Sequence, residues 1–110
     1  MSAITTHVLD TSRGLPAADV GIVLDRLAAN GTWMRLAAGS TDGDGRLRDL
    51  LPSGEPLTMG VYRLTFDTGS YQPDGLYPEV AVAFHVRDPA RHYHIPLLLN
   101  PYGYSTYRGS

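Results

Sequence analysis

The chain contains no cysteine, which excludes disulfides, thiolate metal sites and a cysteine nucleophile and leaves His, Ser, Thr, Tyr and carboxylates to carry any chemistry. It also lacks charge of one dominant sign. A formal net charge of −2 argues against a nucleic-acid groove and keeps small neutral or anionic partners open. No apolar run approaches membrane-spanning length, and Met1-Ser2-Ala3-Ile4-Thr5-Thr6 has no basic region followed by an apolar core. The sequence therefore reads as soluble and cytoplasmic, without a membrane partner, and its end is not the Ser-Lys-Leu address. Gly-X-Ser-X-Gly and a Gly-Lys-Ser phosphate loop are absent as well, so a serine-hydrolase elbow and a nucleotide cradle lose their usual signs.

What remains is a chain of 110 residues, 43% hydrophobic and 18% charged, a size and balance that fit one compact domain over residues 1–110. Short runs rich in Val, Ile, Thr, Tyr and Leu alternate with Gly, Pro, Asp and Ser clusters, and no long helical periodicity appears, which is the pattern of an all-β sandwich. Strands are expected over residues 4–10, 20–27, 32–38, a short segment from Arg46, 60–67, 80–86, 92–99 and 102–107. Val20, Ile22 and Leu24 share one face by period-two alternation, as do Tyr62, Leu64 and Phe66. Ala29-Asn30-Gly31 reads as a hairpin turn, Arg13-Gly14-Leu15-Pro16 as another turn, and Pro73, Gly75 and Pro78 leave room for only a short helix after Asp67. Eight strands in so small a domain imply two packed antiparallel sheets.

Histidines stand at positions 7, 85, 92 and 94. Alternation puts His7 on the face of Thr5 and Leu9, and His92 with His94 on a face opposite Tyr93 and Ile95. Each histidine taken alone reads as a surface or hydrogen-bonded residue as readily as a functional one. His-X-His on a strand also permits zinc, but no cysteine or well-spaced carboxylate supports a third ligand. Thr41-Asp42-Gly43-Asp44-Gly45 invites calcium, yet its glycine spacing and missing terminal glutamate fail the EF-hand pattern, so a polar turn is expected there. No metal and no cofactor is expected. Arg46 follows this loop directly, a place suited to presenting a guanidinium at a cleft mouth, with Arg48 on the same face; solvation is the ordinary alternative for both. The final Tyr107-Arg108-Gly109-Ser110 offers stacking, charge and hydrogen bonds to a planar ligand beside the last carboxylate, where a solvated tail is the default.

The segments Thr6-His7-Val8-Leu9-Asp10, Gly45-Arg46-Leu47, His92-Tyr93-His94-Ile95-Pro96-Leu97-Leu98-Leu99 and Tyr107-Arg108-Gly109-Ser110 together resemble the 5-hydroxyisourate hydrolase family, transthyretin-related enzymes of urate degradation. The resemblance covers essentially the whole chain, including Arg13-Gly14-Leu15-Pro16, Trp33, Tyr62 and Pro101 to Tyr107. Transthyretin, the hormone carrier on the same scaffold, holds lysine, glutamate and threonine where this chain has His7, Arg46 and His94, and it lacks the terminal tetrapeptide. The resemblance implies a transthyretin-like sandwich of two four-stranded antiparallel sheets with one short helix. It further implies a homotetramer built as a dimer of dimers, with active sites in the channel between dimers. It implies a purine-derived substrate, 5-hydroxyisourate, opened by water to 2-oxo-4-hydroxy-4-carboxy-5-ureidoimidazoline. By motif position His7, Arg46 and His94 would be catalytic, and His7, Arg46, Tyr107, Arg108, Gly109 and Ser110 would bind the substrate. Arg46 and Arg108 would disfavour the charged form of a neighbouring histidine.

Overall fold

The computed structural model describes residues 2–52 and 56–110. Among these described residues, nine strands and one helical turn follow in order: β1 (Ile4–Asp10), β2 (Leu15–Pro16), β3 (Gly21–Leu27), β4 (Trp33–Ser40), β5 (Arg46–Leu47), β6 (Gly60–Phe66), α1 (Thr68–Tyr71), β7 (Val80–Val86), β8 (Tyr93–Asn100) and β9 (Gly103–Thr106). They form two sheets. One has the order β2-β1-β8-β9 with β5 also paired to β1, and the other has the order β4-β3-β6-β7.

The inward alternation that the sequence announces builds the core. Ile4 and Val8 from β1 and Tyr93, Ile95, Leu97 and Leu99 from β8 meet Ile22, Leu24, Tyr62, Leu64, Phe66, Val80 and Val86 from the facing sheet, all buried. Each such side chain removed from water contributes about 1.5–3 kcal/mol before the ordering cost is counted. Val20 is also wholly buried. The helix is as short as its prolines require, and Asp67 caps it by accepting from the Ser70 amide.

The all-β sandwich with one short helix stands, with two differences from the expected sheets. The first sheet has five strands because Leu15–Pro16, read as a turn, returns far enough to pair with Leu9 and Asp10. It is also not wholly antiparallel, since β1 and β8 run parallel from Ile4↔Tyr93 to Asp10↔Leu99. The cause lies at Asp88-Pro89, which does not close a hairpin: β7 and β8 belong to different sheets, so the chain crosses the sandwich there and enters β8 in the direction of β1. The Asn30-Gly31 turn does join β3 to β4, as a loop in which Gly31 adopts φ 86° and Asn30 Oδ1 accepts from the Thr32 amide.

Candidate active site

Outward-facing residues of the five-stranded sheet come together where β1, β5 and β8 lie side by side. Thr5 pairs with His94 across the parallel ladder, and His7 pairs with Arg46 across the antiparallel one. Pairing puts these side chains on one face because a strand and its neighbour keep their pleats in phase.

The loop before β5 is built to deliver Arg46. Thr41 is buried; its hydroxyl donates to the Ala17 carbonyl at 2.7 Å and accepts from the Val20 amide at 3.0 Å. Asp42 Oδ1 then accepts from the amides of Asp44 (2.9 Å) and Arg46 (3.0 Å). The Arg46 amide bond, helped by the Asp44 amide and the charges of Arg48 and Arg46, outweighs desolvation and holds the Asp42 carboxyl below the ordinary aspartate range. The carboxylate that invited calcium is thus spent on the turn itself. Gly45 sits at φ +74°, where a Cβ would lie 2.5 Å from the Val8 carbonyl oxygen, and its own carbonyl accepts from the Val8 amide at 2.7 Å. Only glycine gives this close approach.

A cavity of about 240 Å³ opens on this face, lined by Thr5, Arg46, Arg48, His92, His94 and Ser110 among others. His94 is half-buried. Burial, then the charge of Arg46, then His92 and His7, hold its pKa below the ordinary histidine value. Burial and Arg46 lower His7 in the same way, against opposing contributions from the Asp44 carbonyl and the Asp42 and Asp44 charges. His7 Nε2 lies 2.9 Å from the carbonyl oxygen of Asp44. A carbonyl only accepts, so Nε2 carries the proton and the neutral ring keeps its lone pair on Nδ1.

The last residues are pinned rather than loose. The Gly109 amide donates to the His94 carbonyl at 2.8 Å, in the register that β8 already keeps with β9 at Leu97↔Thr106. The ladder is interrupted between these points at Pro96, which has no N–H to give to its partner, and the Thr106 hydroxyl donates to the Pro96 carbonyl instead. A Cβ on Gly109 would lie 2.5 Å from His94 Cδ2, so the backbone of the tail is packed directly on the imidazole.

Of the residues singled out in the sequence, His94, Arg46 and Ser110 share the cavity, His7 stands beside it opposite Arg46, and Gly109 walls the His94 ring. Arg108 points elsewhere: its guanidinium lies over the Tyr93 ring at 4.3 Å and donates to the His92 carbonyl at 3.1 Å. Arg46, not Arg108, is the cation that acts on the histidines. Tyr107 is 56% exposed. His85 is exposed on β7, in the other sheet. The His92/His94 pair finds no third metal-ligating side chain among the described residues. Thr5 was the residue that sequence reasoning missed; its only signal was that it shares the His7 face.

A family model for the HIUase/Transthyretin family matches residues 4–109. The chain belongs to this family. Relatives within it include 5-hydroxyisourate hydrolases of Caulobacter vibrioides, 45% identical with both chains fully covered, and of Mus musculus, 43% identical over 99% of this chain and 96% of the relative. A third, from Salmonella dublin, is 45% identical over 97% of this chain and 80% of the relative. Among solved structures, sea bream transthyretin in complex with thyroxine superposes with a TM-score of 0.89 at 31% identity, covering 98% of this chain and 95% of that one. The HIUase/Transthyretin scaffold therefore accommodates both kinds of relative.

Proposed function

We infer that this single-domain protein hydrolyses 5-hydroxyisourate to 2-oxo-4-hydroxy-4-carboxy-5-ureidoimidazoline in urate degradation. The observation that carries this reading is the meeting of His94 and Arg46 in one cavity, with His7 paired to Arg46 at its edge. Opening a cyclic amide needs an activated water, a donor for the developing oxyanion and a proton for the departing nitrogen. His7 offers a lone pair at Nδ1 because Asp44 occupies Nε2. His94 offers Nε2, since Thr5 engages Nδ1. Arg46 supplies N–H donors and positive charge to the carbonyl oxygen, and burial together with its charge lowers the pKa of both rings, which favours their neutral forms. Gly109 and Ser110 close one side of the substrate's place, and Arg108 holds the tail that carries them through its bond to the His92 carbonyl.

The cytoplasm is the expected setting and a homotetramer, assembled as a dimer of dimers, the expected form. Strands β7 and β9 each end a sheet with an unpaired edge, which a second copy would cover. The cavity then faces a second dimer. A carrier of an aromatic ligand is the second reading, favoured by the likeness to the thyroxine-bound transthyretin.

Ultraviolet monitoring of freshly generated 5-hydroxyisourate against its spontaneous decay separates the two. Acceleration is expected, with an acid limb in kcat/KM whose midpoint falls below the ordinary histidine value of about 6.5. His7→Ala, Arg46→Ala and His94→Ala are each expected to lower turnover by roughly a hundredfold or more. Tight thyroxine binding without acceleration would favour the carrier.

A further inference from the structure

Thr5 is a buried residue, 3% exposed, and its hydroxyl is shared between two imidazoles. Oγ1 lies 2.8 Å from His94 Nδ1 and 2.9 Å from His92 Nε2. We propose that Thr5 and His92 are positioning residues for His94, forming a chain His94–Thr5–His92 that lets His94 alternate between accepting and donating a proton at Nε2. The proposal rests on the reading above that His94 acts on the substrate.

A hydroxyl has one hydrogen, so Thr5 cannot donate to both rings. Its lone pairs could accept from both, but Oγ1 has no other hydrogen-bond partner among the described residues, so its own hydrogen is satisfied only when it donates to one ring and accepts from the other, which leaves two arrangements. In the first, His94 Nδ1–H donates to Thr5, Thr5 donates to His92 Nε2, and His94 Nε2 is a free base. In the second, His92 Nε2–H donates to Thr5, Thr5 donates to His94 Nδ1, and the His94 proton sits on Nε2. Successive bonds in such a chain polarise one another, so each arrangement is self-consistent. His92 is exposed, and solvent supplies or removes the proton on its other nitrogen. His7 has no such freedom, because its partner is a carbonyl.

The proton balance closes. Water attacks the ring carbonyl as its O–H bond breaks; the oxygen's electron pair forms the C–O bond and the proton bonds to His94 Nε2. The Nδ1 proton passes to Thr5, the Thr5 proton passes to His92 Nε2, and His92 releases its Nδ1 proton to solvent. His94 is then neutral with a proton on Nε2, placed to protonate the nitrogen as its C–N bond breaks. The reverse shift, with a proton regained by His92 from solvent, restores the first arrangement. The groups around the chain are cationic or titratable: Arg46 and Arg48 line the same cavity, His7 stands on the same face, Arg108 donates to the His92 carbonyl, and Arg91 lies beside His92 in the adjoining groove. Burial, Arg46, His92 and His7 oppose charge accumulating on His94, which favours handing it to the exposed ring.

Thr5→Val, Thr5→Ser and His92→Phe in the full chain test this. Valine keeps the shape and the strand preference but removes the hydroxyl. Its kcat is expected to fall roughly tenfold or more with KM within about twofold, and serine is expected to restore most of the loss. His92→Phe, on the exposed side of the chain, should also lower kcat and leave KM alone. Ring ¹⁵N shifts supply a readout independent of turnover: His94 should show both tautomers in the native protein and settle on one in Thr5→Val. Near-native kcat in Thr5→Val, or unchanged His94 shifts, would overturn the chain. Should Thr5→Val not fold, His92→Phe with native kcat and native His94 shifts overturns it equally. A native protein that fails to accelerate 5-hydroxyisourate decay sinks the functional reading alone, and the ring nitrogens still decide the chain.

Discussion

At the scale of single residues, the site depends on atoms that are missing as much as on those present. Gly109 lacks the Cβ that would strike His94, and Pro96 lacks the N–H that would continue the ladder beside it. Gly109→Ala is therefore expected to push the imidazole or the tail out of place. Turnover should drop at least about tenfold, while the melting temperature moves little, because the tail lies outside the core. A matched loss of activity and of folded protein would contradict this. Alternation within β1 and β8 made the faces of His7 and His94 legible in the sequence. It did not make Thr5 legible, because its role arises from pairing with a residue 89 positions away, and single-strand patterning carries no information about such a partner.

At the scale of elements, β5 is two residues long and would not hold a register alone. It is set by Thr41, Asp42 and Gly45, whose bonds to Ala17, Val20, Arg46 and Val8 fix the loop from both sides. Gly45→Ala meets a positive φ and the Val8 carbonyl together, so it is expected to destabilise the protein by more than the ~1–2 kcal/mol of the backbone alone. The variant should also misplace Arg46, visible as a raised acid-limb midpoint as the histidines lose its charge. Asp-Gly chemistry identified this loop as a turn from the sequence. The neighbouring return of Leu15–Pro16 was not legible, since two residues, one of them proline, carry no strand pattern. The parallel entry of β8 likewise depends on which sheet β7 joins, a matter of packing across the sandwich and not of the Asp88-Pro89 turn itself.

For the whole molecule, acid is the condition that tests these environments together. The folded pKa values of His7 and His94 lie below their ordinary value, so the unfolded chain binds protons first as pH falls. Stability rises with pH wherever the unfolded state holds more protons. The contribution of these histidines is thus full above about pH 6.5 and declines below it, through the interval down to the folded values. Asp10 acts lower on the scale. Burial raises its pKa, but donation from the Tyr71 and Ser12 hydroxyls and the Ser12 and Arg13 amides outweighs that and leaves it lowered. Its contribution is lost only as pH falls below the ordinary aspartate range. Thermal unfolding followed from pH 8 to 5 is expected to show a decline beginning near pH 6.5 that flattens when His7 and His94 are both replaced by Asn. An unchanged slope in that double variant would place the acid sensitivity elsewhere.

The parallel pairing of β1 with β8 also orders events in time. Strands β3, β4, β6 and β7 lie within one stretch of chain and complete their sheet without help from either end. Until β8 arrives, β1 has only the two-residue partners β2 and β5, and contacts of large sequence separation form late because the intervening chain must first be ordered. A growing polypeptide that has reached Val86 can therefore hold one finished sheet, yet it has no cavity, no neighbour for Thr5 and no wall of glycine. During synthesis the face that gathers Thr5, His7, Arg46 and His94 is the last part of the molecule to come into being.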